Sequence, residues 1–396
     1  TGAGTRVASD LDHLAELTAH YMLAYDAHGI LYVPTAQWRG ILPDASGVNN
    51  ALRHARFGHV IDRWFAFEPL QPPLKFRLAT HYVVWMARVY GVPIPRPQPG
   101  SLDQAIVVAQ WAAKTLQAHG ACVIRAPVSL ALRVSLVAQQ AGLDLTGATF
   151  MGGSEPPTQA KVSGIMRSGA HYVPCYVSAE TSTIGLGCAN PSSSNDLHFL
   201  KDMLALIEYP RQVPDSDITV DAFHFTSLLP TVPKLLLNVE TDDYGIVERR
   251  SCGCPLDGHG LHEHIRDIRS FHKLTGEGVT LVGSNMVHIL EEVLPARFGG
   301  SPLDYQLKEE EDEQGFSRLS LLVSPEIELT DEAGVVDTVL EALERSDFPA
   351  DLARATWSQA GSLRVKRMSP IWTARGKLLP LHMIERSEGS TKTEWS

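Results

Sequence analysis

No apolar run in this chain approaches the roughly 20 residues that a membrane-spanning helix needs, and no run of lysine and arginine occurs along it. The formal net charge is −11, from 34 basic against 45 acidic residues. Nucleic acid and anionic membrane surfaces are therefore not the partners this surface suits. Cysteine is scarce as well. Five in 396 residues do not make a disulfide scaffold, and the odd number suits a reducing, cytoplasmic setting. No internal repeat is visible. What is present, 44% hydrophobic and 20% charged residues, is the composition of a soluble globular protein. The length allows two or three domains with ample core. The sequence starts at Thr1 inside a glycine- and threonine-rich stretch, so an upstream segment is expected and the N-terminal part is expected to be truncated.

Periodicity divides the chain. Leu11–Ala27 carries apolar residues at helical spacing behind Ser9 or Asp10 as cap. Residues 32–63 are mixed, with turns at Pro34, Pro43-Asp44 and Gly47, and the aromatic run Trp64–Pro69 reads as core or as the lining of a pocket. Helices are expected over Leu78–Tyr90 and Leu102–His119. Then strands at Ala121–Ala126, Ala148–Met151 and His171–Tyr176 alternate with helices at Ser129–Ala141 and Pro156–Ser168. That alternation predicts βαβ units and a parallel sheet. Leu197–Glu208 and Lys234–Glu248 begin a more β-rich region. From Lys273 the pattern changes to a compact α+β unit, with a hairpin of Tyr305–Lys308 and Ser317–Ser324 around the acidic tip Glu309–Gly315. The expected organisation is a large domain over 1–273 and a small mobile lid over 274–396.

Chemistry is concentrated in the loops. Thr1-Gly2-Ala3-Gly4-Thr5 offers backbone amides that suit phosphate, although such stretches are also ordinary turns. Gly152-Gly153-Ser154-Glu155-Pro156 and Tyr176-Val177-Ser178-Ala179-Glu180 both leave strands at one edge of the expected sheet. Open α/β sheets bind ligands at that edge, and an aromatic ring, a hydroxyl and a carboxylate suit a nucleotide and its metal. The plain alternative is a strand running into a capped turn.

Taken together these loops resemble the adenylate-forming superfamily, in its phenylacetate–CoA ligase-like branch, over nearly the whole chain and in the right order. The resemblance implies that Thr1 and Gly2 belong to a phosphate loop, and that Gly153, Ser154 and Glu155 form the adenine loop. Tyr176 would pack on adenine, and Glu180 would bind Mg²⁺. Asp243, in Thr241-Asp242-Asp243, would hold the ribose hydroxyls. Gly283-Ser284-Asn285-Met286 and Glu291-Glu292-Val293-Leu294 resemble lid motifs, and Gly376-Lys377 matches the late catalytic lysine. Val177 and Ala179 depart from the pattern, which leaves Ser178 to serve the phosphates. Gly276-Glu277 and Leu274 depart from it at the hinge. The implied activity is ATP-dependent activation of an aryl or arylacetic acid as its adenylate, followed by transfer to coenzyme A or a carrier-protein thiol. A homodimer is compatible with this class.

Cys252-Gly253-Cys254 has too little chain between its thiols for an easy disulfide but suits metal chelation. Two further ligands would complete a tetrahedral structural zinc site. Cys188 and His198 fall where the resembling branch carries a cysteine and a histidine, and His259, His262 and His264 are alternatives. Two other readings of the chain stay open: a hydrolase with a catalytic zinc in this cluster, and a degenerate adenylation fold acting as an interaction module.

Overall fold

The structure is a computed structural model that describes residues 10–56, 58–67, 72–213, 218–271, 275–276, 279–280, 285–311, 317–344 and 363–383. Helix α1 (Leu11–Ala27) starts at Asp10, whose carboxylate accepts the amides of Asp12 and His13 at 2.7 and 3.1 Å. Its apolar residues Leu14, Leu17, Tyr21, Ala24 and Tyr25 recur every three or four positions and are buried, so one face packs onto the sheet.

Six strands and their connecting helices follow. They are β1 (Thr35–Trp38), α2 (Ser46–Arg56), β2 (Arg63–Phe67), α3 (Leu74–Val89), β3 (Pro97–Gly100) and α4 (Ala105–His119). Next come β4 (Cys122–Arg125), α5 (Val128–Gln140), β5 (Ala148–Gly152), α6 (Gln159–Met166) and β6 (His171–Ser178). Across the sheet the strands run β3-β2-β1-β4-β5-β6, every neighbour parallel. The expected βαβ block over 121–176 is present. The strands β1 and β2, read from sequence as mixed chain and aromatic core, extend it.

At β6 the pairing changes from parallel to antiparallel. The strands β7 (Ser182–Gly187), β8 (Leu197–Phe199), β9 (Leu204–Gln212), β10 (Thr219–Ser227), β11 (Val239–Arg249) and β12 (Glu263–Ser270) follow. They continue it in the order β6-β7-β8-β12-β11-β10-β9, all antiparallel, to give 12 strands. Strand β6 is therefore the switch between two kinds of pairing, and loops at its carboxyl end face a crevice.

The C-terminal part is separate in character. A two-stranded pair, β13 (Thr275–Gly276) and β14 (Val279–Thr280), precedes a helical run over 286–298. A four-stranded sheet has the order β17-β16-β15-β18, from β15 (Tyr305–Glu311), β16 (Ser317–Val323), β17 (Leu363–Arg367) and β18 (Leu381–His382). With the helix Glu332–Glu344 it encloses its own core around Leu290, Leu307, Leu321 and Val339. The expected domain boundary at 273/274, the helix expected at 350–359 and most of the acidic tip lie outside the described residues. Among the described residues no helix is long and apolar enough to cross a membrane.

Candidate functional site

A cavity of about 530 Å³ opens at the carboxyl ends of β4, β5 and β6. Its walls come from α1, the β1–α2 loop with α2, the turn after β6, Asp243 of β11, and the segment 375–377. Of the residues singled out from sequence, Ser154, Ser178, Asp243 and Lys377 line it. They come from four distant parts of the chain, and only the fold brings them together.

Each is positioned by its surroundings. Gly153 carries no side chain where a Cβ would stand 2.0 Å from the carbonyl of Cys175, so this loop lies directly on β6. Ser154 then turns with φ +82° into the cavity. The Ser178 hydroxyl accepts the amide of Thr181 at 3.0 Å and bonds the Thr181 hydroxyl at 2.8 Å, closing the β6–β7 turn. Tyr176 is buried, and its hydroxyl donates to Asp243 Oδ2 at 2.8 Å. Burial first, and then Asp243, push its phenol well above the ordinary range, so it remains a donor. One oxygen of Asp243 is thus held from behind while the residue faces the cavity.

Lys377 arrives on a docked segment. Its amide donates to Thr373 Oγ1 at 3.0 Å. Gly376, at φ +71°, lies where a Cβ would meet Leu130 at 2.6 Å, and Leu378 is buried in the same core as Leu130. A buried ion network fastens the segment further. Lys161 of α6 lies 3.2 Å from Glu291 and 3.8 Å from Glu155, and its Nζ donates to the Leu378 carbonyl at 3.5 Å. Thr158 also donates to Glu291. Burial disfavours the Lys161 charge, but Glu291 and Glu155 outweigh it and hold its pKa above the ordinary value.

Four expected residues are not among those lining the cavity: Gly153, Tyr176, which is buried in the core instead of facing it, Glu155 and Glu180. Glu155 does not line the cavity. Its carboxylate accepts the amide and hydroxyl of Ser129 at 2.8 and 2.7 Å, at the N-terminus of α5 where the helix dipole favours an anion. Glu180 sits half-buried in the β6–β7 turn, between lining residues Ala179 and Ser182, and is not itself a lining residue. Thr1, Gly2, Leu274, Glu277, Gly283 and Ser284 lie outside the described residues. Sequence reasoning missed Arg39, Arg53 and Arg125, which also line the cavity. The signal for Arg125 was a charge closing the buried strand Cys122-Val123-Ile124-Arg125.

The cysteine cluster is a second centre. Cys188, His198, Cys252 and Cys254 are all buried, and their ligand atoms lie within 4.8 Å of one another. His198 Nε2 is 3.1 Å from Cys254 Sγ and 3.6 Å from Cys252 Sγ, while its Nδ1 bonds the Leu261 carbonyl at 2.6 Å. That bond places the proton on Nδ1 and turns the Nε2 lone pair toward the thiols. Of the alternatives, His259 is exposed and His262 pairs with Asp257, while His264 bonds Asp196 at 2.7 Å and forms with Asp196 and Cys188 a second buried group whose ligand atoms lie within 4.8 Å of one another. Three thiols and one imidazole are the donor set of a closed structural zinc site.

Two solved structures share this architecture. The chain is similar to the anthranilate CoA ligase AuaEII in complex with anthranoyl-AMP, with a TM-score of 0.51 and 11% identity, covering 93% of this chain and 62% of that one. It is also similar to McyG A-PCP complexed with phenylalanyl-adenylate, with a TM-score of 0.50 and 11% identity, covering 96% of this chain and 64% of that one. The fold is that of the adenylate-forming enzymes. No family model matches the sequence, and no curated protein does. The chain spans less than two thirds of the length of the solved structures it resembles.

Proposed function

We propose that the protein activates a carboxylic acid as its adenylate and passes the acyl group to a thiol, that of coenzyme A or a carrier protein. The observation that carries this reading is the convergence of Ser178, the Tyr176-held Asp243 and Lys377 on one cavity, in a fold shared with an acid–CoA ligase and an adenylation domain. The acid's carboxylate attacks the α-phosphate of ATP and expels pyrophosphate, and the thiol then displaces AMP from the acyl-adenylate. Charge gathers on phosphate oxygens in the first step, so positioned donors and a cation do most of the work. Lys377 supplies the cation, Asp243 holds the ribose, and Ser178 and the turn after β6 face the phosphates. Glu180 is the residue assigned to Mg²⁺, whose role is to neutralise the phosphates. An aryl or arylacetic acid fits the phenylacetate–CoA ligase-like motif order. Cys188, His198, Cys252 and Cys254 would hold a structural zinc.

Acid-dependent ATP–pyrophosphate exchange tests the reading. Exchange that appears only when an acid is added supports it, and its absence across a broad panel of acids favours a non-catalytic module. Glu180→Gln should keep the fold and lower exchange about a hundredfold or more, as expected for a lost charge at a phosphate site. Near-normal exchange by that variant would remove Glu180 from the site.

A further inference from the structure

One end of the cavity is lined by three arginines that, among the described residues, have no carboxylate in an ion pair. Arg39 directly follows β1, Arg125 closes β4 beside Gln37 of β1, and Arg53 lies on α2. All three line the cavity. Arg53 and Arg125 are only 8% and 5% exposed. Arg53 Nε, Arg125 Nε and Arg125 Nη1 have no hydrogen-bond partner, and neither does Asn50 Oδ1 of α2, which also lines the cavity. Among the described residues no carboxylate forms an ion pair with any of the three arginines. The Tyr21 ring offers partial compensation, with the Arg53 and Arg125 guanidiniums 4.0 and 5.1 Å from its centroid.

Arginine does not escape such a place by losing its proton. A buried charge without a partner costs several kcal/mol, and a cation–π contact returns on the order of 1–2 kcal/mol. Three neighbouring guanidiniums also repel one another. What the site lacks is an anion, and the forked donors of arginine match a carboxylate, sulfonate or phosphate. Asp243, the residue assigned to the ribose, lies on the other side. Asp243 belongs to the antiparallel half of the sheet, and β5 and β6 separate β4 from that half. The reacting carboxylate of the acid is used at Lys377. A monocarboxylic acid would leave the arginines as unbalanced as they are without it.

We propose that the acid activated here carries a second negative group, and that Arg39, Arg53 and Arg125 receive it; this rests on the adenylation reading above. The substrate class is then a dicarboxylic acid, or a carboxylic acid bearing a sulfonate or phosphate. The second anion anchors the molecule at the β1–β4 end and leaves the first carboxylate to react.

The test uses matched pairs, benzoate against benzene-1,4-dicarboxylate and 4-sulfobenzoate, and hexanoate against adipate. Two readouts are taken on the complete protein: ATP–pyrophosphate exchange, and the thermal midpoint with the acid alone. The dianions should show at least tenfold lower KM than their monoanionic partners and should raise the midpoint. Arg53→Met and Arg125→Met should erase both preferences. Each should also raise the ligand-free midpoint, because an unpaired charge is removed, so loss of folding is not confused with loss of binding. Dianion stabilisation that depends on the arginines, without exchange for any acid, keeps this site and overturns the adenylation reading. Exchange with monoanions and no preference for dianions overturns this inference alone. It also falls if pyrophosphate, and not the dianions, gives the arginine-dependent stabilisation, since the anion would then come from the nucleotide.

Discussion

His54 is 2% exposed, with its Nε2 bonded to the Tyr25 hydroxyl at 3.0 Å. Burial, then Arg125 and Arg53, and His59 beyond them, hold its pKa well below the ordinary value, so it is neutral in the folded protein. In the unfolded chain it titrates near 6.5. Below that pH the unfolded state binds a proton that the folded state refuses, so stability is full above about pH 6.5 and falls as pH is lowered. The contribution approaches about 1.4 kcal/mol per pH unit. His54→Gln should flatten this slope by about one proton between pH 6.5 and 5, measured as the denaturation midpoint against pH. Parallel curves for the two proteins would mean that His54 is charged in both states. Arg53 and Arg125, which depress His54, and Arg39, which lines the same cavity, were not singled out from the sequence, because they come separately from α2, β4 and the residue after β1. Ser154, Ser178, Asp243 and Lys377 were legible because each lies in a short motif. Glu155 lies in such a motif too, yet it caps α5, and a motif does not reveal which way a side chain turns.

At the scale of elements, α6, the loop after β5 and the helical run 286–298 meet on Lys161. Its ammonium serves two carboxylates, Glu155 and Glu291, in a site where all three are nearly inaccessible. Lys161→Met should destabilise the protein by about 3–5 kcal/mol, since it leaves two buried anions without their cation. Chemical denaturation checks this, and a change under about 1 kcal/mol would show that the anions are solvated. The cysteine–histidine cluster joins Cys188 just after β7, His198 of β8 and the turn Cys252-Gly253-Cys254. Protein prepared without chelator should carry about one zinc per chain and melt lower once it is removed, because metal bound to the native state adds to folding free energy. Elemental analysis finding no metal would end that assignment. The block from β4 to β6 was readable because strands and helices alternate at regular length. The strands β1 and β2 were not, since four or five residues buried on both faces show neither alternation nor length.

For the molecule as a whole, the C-terminal part has its own core yet inserts residues 376–378 against Leu130 and Phe67 of the large body. That docking brings Lys377 to the cavity holding Ser178 and Asp243. If the small unit swings as a lid between half-reactions, Lys377 serves only the first of them. The most direct measurement separates the two steps in Lys377→Ala, with Lys366→Ala, a lysine outside the cavity, as control. The account predicts that Lys377→Ala loses acid-dependent ATP–pyrophosphate exchange by several orders of magnitude. It should still convert a chemically prepared acyl-adenylate to thioester at close to the normal rate, while Lys366→Ala keeps both steps. Normal exchange by Lys377→Ala, or equal slowing of both steps, would contradict it.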